Sequence, residues 1–377
     1  MPTTRRAVLQ GATGAALAAC SSAVSPAPAP SPTRFGINVH RLFLDAVKAG
    51  GQVDTAILET LGRMGIPFAR FAASGHWAAD WARFAADPAH HWRQMDRLFA
   101  AAEQAGVALV PSVLWNPVAL AYHCGEAMQA WLDPASRTAQ TARGYVEAFA
   151  LRYDRSPALL VYEFANEMND WVDLPNVLAF WPRRDPALPG RHPREADRLG
   201  SGQLRTMAAR FAAHVRRHGT KPMTMGSNLP RGNAWHLARG AWDRDTPDQF
   251  VAQLRALTPP AMGVLSVHLY EDRFGGADDV FSTLPDLLTG AMEAARADGR
   301  GLFIGEFGVA GAGDRAGEER RFAAMVEAIA AAGVPHAAAW NYSPYRFQPE
   351  WDIAPGNARG WQLEALAAAN RRATSAS

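Results

Sequence analysis

Eight short apolar segments, each separated from the next by a helical stretch, predict an α/β chain folded as a (β/α)8 TIM barrel. Three observations carry that prediction. The alternation repeats eight times from residue 34 onward, whereas a doubly wound open sheet usually stops at five or six strands. The segments are largely apolar, as strands of a parallel sheet covered on both faces must be. Unusual residues gather at the C-terminal ends of several different segments: Arg70, Trp115, Asn166, Glu167, Asn228, His268, Tyr270, Glu306 and Trp340. That is where a barrel collects its functional side chains. No segment opens a Gly-rich phosphate loop of the dinucleotide or Walker type.

Taken in order, "FGINVH" (35–40) reads as the first strand and is followed by a helix over about 54–64. "PFARFAAS" (67–74) precedes a helix across 91–106, whose closing Gly106 is a natural stop. "ALVPSVLW" (108–115) leads to a helix over 135–153, and "LLVYEFANE" (159–167) to one over 201–218. "PMTMGSN" (222–228) precedes a short helix near 246–256, and "VLSVHLY" (264–270) one over 279–297. "GLFIGEFGV" (301–309) precedes 315–332, and "HAAAWNY" (336–342) is the last strand, with a closing helix near 361–372. Such alternation implies right-handed βαβ units. The connection 169–200 far exceeds the two to six residues usual for a βα loop, and polar and aromatic stretches also follow strands two, three, five and eight.

Residues 1–20, "MPTTRRAVLQGATGAALAAC", have a twin arginine, a mild apolar stretch and small residues before a cysteine. They resemble a twin-arginine export leader ending in a lipoprotein processing site, with Cys20 as the lipidation site and the folded protein held at the membrane by that anchor. Ordinary cleavage in the alanine-rich run, releasing a soluble secreted protein, is the alternative. The stretch is too short and too Gly/Ala-rich to span a bilayer. Residues 21–33, rich in Pro, Ala and Ser, read as a semi-extended tether, leaving 34–377 as a single domain. The formal charge of +2 is matched by Arg5 and Arg6, so the chain from Cys20 on sums to about zero, with no electrostatic footprint for nucleic acid. If Cys20 takes lipid, Cys124 has no intrachain partner, and the fold rests on its core rather than on disulfides. His123 beside Cys124 lacks the spaced ligands of a zinc site.

The chemistry concentrates in two carboxylates. Glu167 ends the fourth strand and Glu306 ends the seventh, so in an eight-strand barrel they face each other across the mouth. Paired carboxylates of this kind serve acid/base and nucleophilic work on a sugar bond, and a separation near 5–5.5 Å goes with retention of configuration. Side chains alternate along a strand. By that parity Glu167, Ala165 and Glu163 share one face and Asn166 the other, while Glu306 shares its face with Ile304 and Leu302. Glu163 is then a buried charge in need of a partner, for which Arg70 is the candidate.

"FANE" ending strand four and "GEFG" ending strand seven resemble the signatures of clan A glycoside hydrolases, and most closely family 5, with its cellulases and mannanases. The resemblance covers residues 34–375. It implies a retaining β-glycoside hydrolase acting on an oligo- or polysaccharide, with Glu167 as general acid/base and Glu306 as nucleophile. It further implies that Asn166 holds the sugar 2-hydroxyl, and that Arg70, His268, Tyr270 and Trp340 support the reaction. Trp115 and Trp171 join them as candidate substrate-binding rings. Other loop tryptophans, Trp77, Trp81, Trp131, Trp181 and Trp235, are offered either to glycan or to loop packing. No cofactor and no catalytic metal are expected, and a monomer is the default. Met168 stands where the family often has Pro, and Trp115 and Asn116 stand where it often has His, so the resemblance stops short of naming a sugar. A glycan-binding lipoprotein without hydrolysis and a transglycosylase of the same fold are the alternatives.

Overall fold

The computed structural model describes residues 32–48, 50–180, 193–276, 279–344 and 347–375. The expected export leader with Cys20, nearly all of the tether, and Trp181 lie outside the described residues. Eight strands are present: β1 Arg34–Asn38, β2 Phe68–Ala72, β3 Ala108–Ser112, β4 Tyr162–Glu163, β5 Met223–Thr224, β6 Val264–Tyr270, β7 Gly301–Gly308 and β8 His336–Ala339. All their pairings are parallel, in the order β5-β4-β3-β2-β1-β8-β7-β6. Among the described residues no backbone ladder joins the two ends of this sheet. Instead the Ser266 hydroxyl of β6 accepts the N–H groups of Gly226 and Ser227, just beyond β5, at 2.8 and 3.0 Å. The (β/α)8 barrel expected from sequence is therefore formed, with one seam closed by a side chain.

Helices follow each strand where the sequence places them, over Ala56–Met64, Pro88–Ala105, Arg137–Tyr153, Ser201–Arg216, Pro247–Leu257, Leu284–Ala297, Arg315–Ala331 and Trp361–Ser375. Their ends obey local chemistry. Asp87 caps the second of these by accepting from the His90 N–H at 2.8 Å, Pro88 opens it, and left-handed Gly106 closes it. Thr246 and Gln249 form a reciprocal capping box ahead of Pro247. Among the described residues four further α-helices, Ala78–Ala86, Pro117–His123 and the single turns Val177–Phe180 and Ala234–Leu237, lie in stretches expected to be loops. The second had a legible signal: Asn116 caps it through Val118 and Ala119, and Pro117 takes the first helical position.

The inner and outer faces of the strands divide the core. Leu265, Val267 and Leu269 of β6 and Leu302 and Ile304 of β7 join the large apolar layer between sheet and helices. Phe68, Val110, Val161, Phe303 and Ala338 form a separate apolar cluster. Phe68 shares the inner parity of Arg70, and Gly36 of β1 makes room for it, since a Cβ there would lie 2.6 Å from the Phe68 ring. This plug fills the lower barrel, leaving the strands' C-terminal ends to carry polar groups.

Candidate active site

The site is built outward from Arg70. Its inner-face position on β2 leaves the guanidinium fully buried, where every one of its five N–H donors needs an acceptor. Nε and Nη2 clasp Glu163 of β4 at 2.8 and 2.7 Å. Nη2 also reaches Asn166 Oδ1 at 2.6 Å, and Nη1 reaches Asn38 Oδ1 and Glu306 Oε1, both at 2.8 Å. All five donors are satisfied. Burial opposes the charge on Arg70, but the Glu163 and Glu306 carboxylates outweigh it and push the pKa above its ordinary value. The Trp115 ring lies 5.0 Å from the guanidinium carbon. Arg70 thus touches both carboxylates considered as its partners, Glu163 and Glu306.

Glu306 is 4% exposed and held on both oxygens, Oε1 by Arg70 and Oε2 by the Tyr270 hydroxyl at 2.5 Å. Burial, more than any other influence, raises its pKa; the Glu167 charge adds to this, while His268, Arg70 and the Tyr270 hydrogen bond oppose it. Parity misplaced this residue. The ladder between β6 and β7 pairs Val267 with Ile304 but His268 with Glu306, so Gly305 is an extra residue in β7. That bulge turns Glu306 away from the outer layer that holds Ile304 and Leu302. Gly305 is needed there, because a Cβ would stand 2.8 Å from His268 Nε2.

Glu167 is reached differently. Regular β4 ends at Glu163, but the chain keeps bonding to the segment after β5: Phe164, Ala165 and Glu167 donate to the carbonyls of Thr224, Met225 and Gly226. Glu167 then adopts a left-handed backbone, with φ 50° and ψ 28°. Such a conformation is uncommon for a residue with a side chain and tends to mark functional positions. It breaks the strict alternation, so Asn166 and Glu167 both line the cleft, contrary to the opposite faces expected for them.

Glu167 Oε1 lies 2.8 Å from Nδ1 of His268, a fully buried ring on β6. Burial lowers the His268 pKa to about 4, although Glu306 pulls the other way, so the imidazole is neutral near pH 7. A neutral ring can donate from Nδ1 to Glu167, leaving the unpartnered Nε2 as a bare lone pair. A carboxylate oxygen of Glu167, a nitrogen of His268 and a carboxylate oxygen of Glu306 all lie within 4.8 Å of one another. Those donor types also suit a cation, but each residue already has a hydrogen-bond partner in the protein.

The cleft above these groups has a volume of about 550 Å³. Asn166, Glu167, Tyr270, Glu306 and Trp340 line it, as the sequence led one to expect, together with Asn228. Trp115 and Trp171 do not line it. Trp115 is buried, stacked on His40 at 4.7 Å, and Trp171 packs on the apolar layer. Trp81 and Trp131 are buried as well, while Trp235 carries Arg239 over its face at 3.7 Å. Sequence reasoning missed Gln348 and Trp351 on the β8 loop and the acidic pair Glu271 and Asp272 after β6, all of them lining the cleft. Nothing periodic marks such loop residues. A larger groove of about 810 Å³, between 173–175, 195–203 and 237–242, contains neither catalytic candidate.

Known structures share this architecture. An endo-1,4-β-mannanase from Rhizomucor miehei superposes with a TM-score of 0.62 at 12% identity, covering 92% of this chain and 97% of its own. An endo-β-1,4-mannanase from Thermotoga petrophila gives 0.59 at 11% identity, covering 93% and 78%. An endoglucanase from Thermotoga maritima gives 0.53 at 15% identity, covering 89% and 96%. At such identities the likeness is one of fold. Comparison with curated proteins gave no match. Residues 117–346, more than half of the chain, match the family model described as cellulase (glycosyl hydrolase family 5). The chain therefore belongs to glycosyl hydrolase family 5 and is a β-glycoside hydrolase.

Proposed function

We propose that this hydrolase cleaves a β-linked glycan of the cellulose or mannan type with retention of configuration, through a covalent glycosyl-enzyme. The observation that carries the proposal is the pairing of two carboxylates with unequal surroundings. Glu306 is clamped by Arg70 and Tyr270, Glu167 rests on a neutral imidazole, and their nearest oxygens lie within 4.8 Å. Oxygens this near one another support the closely spaced carboxylates of a retaining enzyme over the wider pair, with water between, of an inverting one.

In the first step a Glu306 oxygen bonds to the anomeric carbon while the glycosidic C–O bond breaks. The Glu167 proton passes to the departing oxygen. Burial makes Glu306 more basic and hence a stronger nucleophile once ionised, and Arg70 and Tyr270 hold it aimed. Ester formation removes the Glu306 charge. Arg70 is not stranded by this loss, because Glu163 still neutralises it. In the second step Glu167, now a carboxylate, takes a proton from water as the water oxygen attacks the anomeric carbon and frees Glu306. A Nδ1–H bond from His268 to one Glu167 oxygen leaves the other as the proton carrier. Trp340 offers a flat face to the sugar ring.

A polysaccharide screen with reducing-sugar readout identifies the substrate, and NMR of the first-formed anomer reads the stereochemistry. Glu306→Gln should lower turnover by roughly 10⁴-fold or more. Glu167→Gln should lose roughly 10²–10⁴-fold on natural substrates and much less on aryl glycosides whose leaving group needs no proton. First-formed product of inverted configuration, or full turnover in Glu306→Gln, overturns the mechanism.

A further inference from the structure

Beyond β8, residues 347–353 return beside 341–343 and hold one residue, Gln348, unusually firmly. Ser343 N–H donates to Ile353 O at 3.0 Å and Ile353 N–H to Asn341 O at 2.9 Å, tying the two limbs of the return together. Inside the turn, both oxygens of buried Asp352 accept the backbone N–H of Gln348 at 3.1 Å. The Gln348 carbonyl in turn accepts from Trp351 and Asp352, each at 2.7 Å. The Gln348 backbone is fixed from both sides.

Its side chain is fixed too. The indole Nε1–H of Trp340 donates to Gln348 Oε1 at 2.9 Å. An indole N–H can only donate, so it selects the amide oxygen and dictates which way the amide faces. The two N–H donors on Nε2 must then point away from Trp340. Among the described residues they meet no acceptor, and they are not sealed off from solvent. Gln348 lines the same cleft as Trp340, Glu167 and Glu306. Trp351, packed edge-on against Tyr270 at 5.2 Å, closes the wall beside it.

We propose that Gln348 is a specificity-determining residue that donates from Nε2 to one hydroxyl oxygen of the sugar seated on Trp340, while its Oε1 sets the angle of that ring. This rests on the glycosidase reading above and deepens it. The ligand feature is a neutral oxygen acceptor on the rim of the ring. A sugar lacking that hydroxyl leaves the fixed donor unpaired, so discrimination falls on one ring position rather than on affinity in general.

The test is a cycle of kcat/KM values. Wild type, Gln348→Leu and Gln348→Met are compared on an aryl β-glycoside of the sugar the wild type cleaves, and on its monodeoxy analogues. Thermal denaturation confirms that the variants fold, and Met, close to Gln in length, serves where Leu disturbs the turn. Each variant should lose roughly tenfold on the parent and on every analogue but one. On that one, the loss should shrink to the share due to a loosened Trp340. The same loss on every analogue makes Gln348 a prop for Trp340 and overturns the proposal. A wild type that cleaves no β-glycoside overturns the hydrolase reading, and this inference with it.

Discussion

Arg70 shares one positive charge between two buried carboxylates, and on the proposed mechanism that sharing sets the pH range of the reaction. Glu163 takes two of its N–H donors and Glu306 one. Replacing Glu163 with Gln keeps a side chain of nearly the same shape but removes the competing negative charge. More of the Arg70 field then falls on Glu306, its ionised form gains, and its raised pKa moves back down. With Glu306 as the proposed nucleophile, the acid limb of kcat/KM follows its ionisation, so that limb should shift to lower pH in Glu163→Gln, measured as a pH–rate profile. An unmoved limb means that Glu306 does not set it. Arg70→Met is the harsher change: it strands two buried carboxylates and should cost roughly 3–5 kcal/mol of stability. At this scale the sequence was informative wherever burial forces a partner. A carboxylate at position 163 on an inner face needs a cation, and Arg70 was the one within reach. It was uninformative where facing depends on a single dihedral, as at Glu167, or where a loop residue's neighbours are remote in sequence, as for Gln348 and Trp340 Nε1.

The strands deliver these groups through local departures from regularity, and glycines make the departures feasible. Gly226 follows β5 with φ +72°, and a Cβ there would sit 1.9 Å from the Ala165 carbonyl oxygen and 2.6 Å from the Glu163 carboxyl carbon. It is the backbone on which the Glu163–Glu167 segment leans, through the Glu167 N–H bond to Gly226 O at 2.8 Å. Gly65 shares the left-handed backbone, with φ +75°, but has nothing near its missing Cβ. Comparing the two alanine variants separates backbone strain from contact. Gly65→Ala should cost roughly 1 kcal/mol, and Gly226→Ala roughly 2–4 kcal/mol together with most of the activity, read by urea unfolding and turnover. Equal costs show that the close approach at Gly226 is absorbed elsewhere. Alternation of strand and helix was legible from the sequence because apolar runs and caps are local. The bulge at Gly305 and the early end of regular β4 were not, because both are set by register with a neighbouring strand, for which one strand's sequence holds no signal.

The whole molecule carries several imidazoles that folding keeps neutral, and this sets how it responds to acid. Burial lowers His40 and His91 to a pKa of about 3, and His268 to about 4, against 6.5 when unfolded. For each, the unfolded chain takes up a proton near pH 6.5 that the native fold refuses until pH 3–4. Stability is therefore complete above pH 6.5 and falls as pH drops towards 4, by roughly 2 kcal/mol per histidine between pH 7.5 and 5. Glu306 acts in the opposite sense. Its folded pKa is raised, so its contribution is fully present at low pH and lost as pH climbs through that raised value. One such group offsets only part of the loss from three histidines, so urea unfolding should report a clearly less stable protein at pH 5 than at pH 7.5. His91 is the position at which to test this, because it lies on helix Pro88–Ala105 and is not among the residues lining the cleft. Its Nε2 pairs with the Tyr145 hydroxyl at 2.9 Å, and that hydroxyl donates onward to the Ala73 carbonyl, so Nε2 must carry the proton. His91→Gln keeps a donor for Tyr145 without a titrating group. It should shrink the stability difference between the two pH values by roughly 2 kcal/mol while leaving the pH profile of kcat/KM in place. An unchanged difference means that His91 is already protonated in the native state, or that the unfolded chain does not titrate it near 6.5.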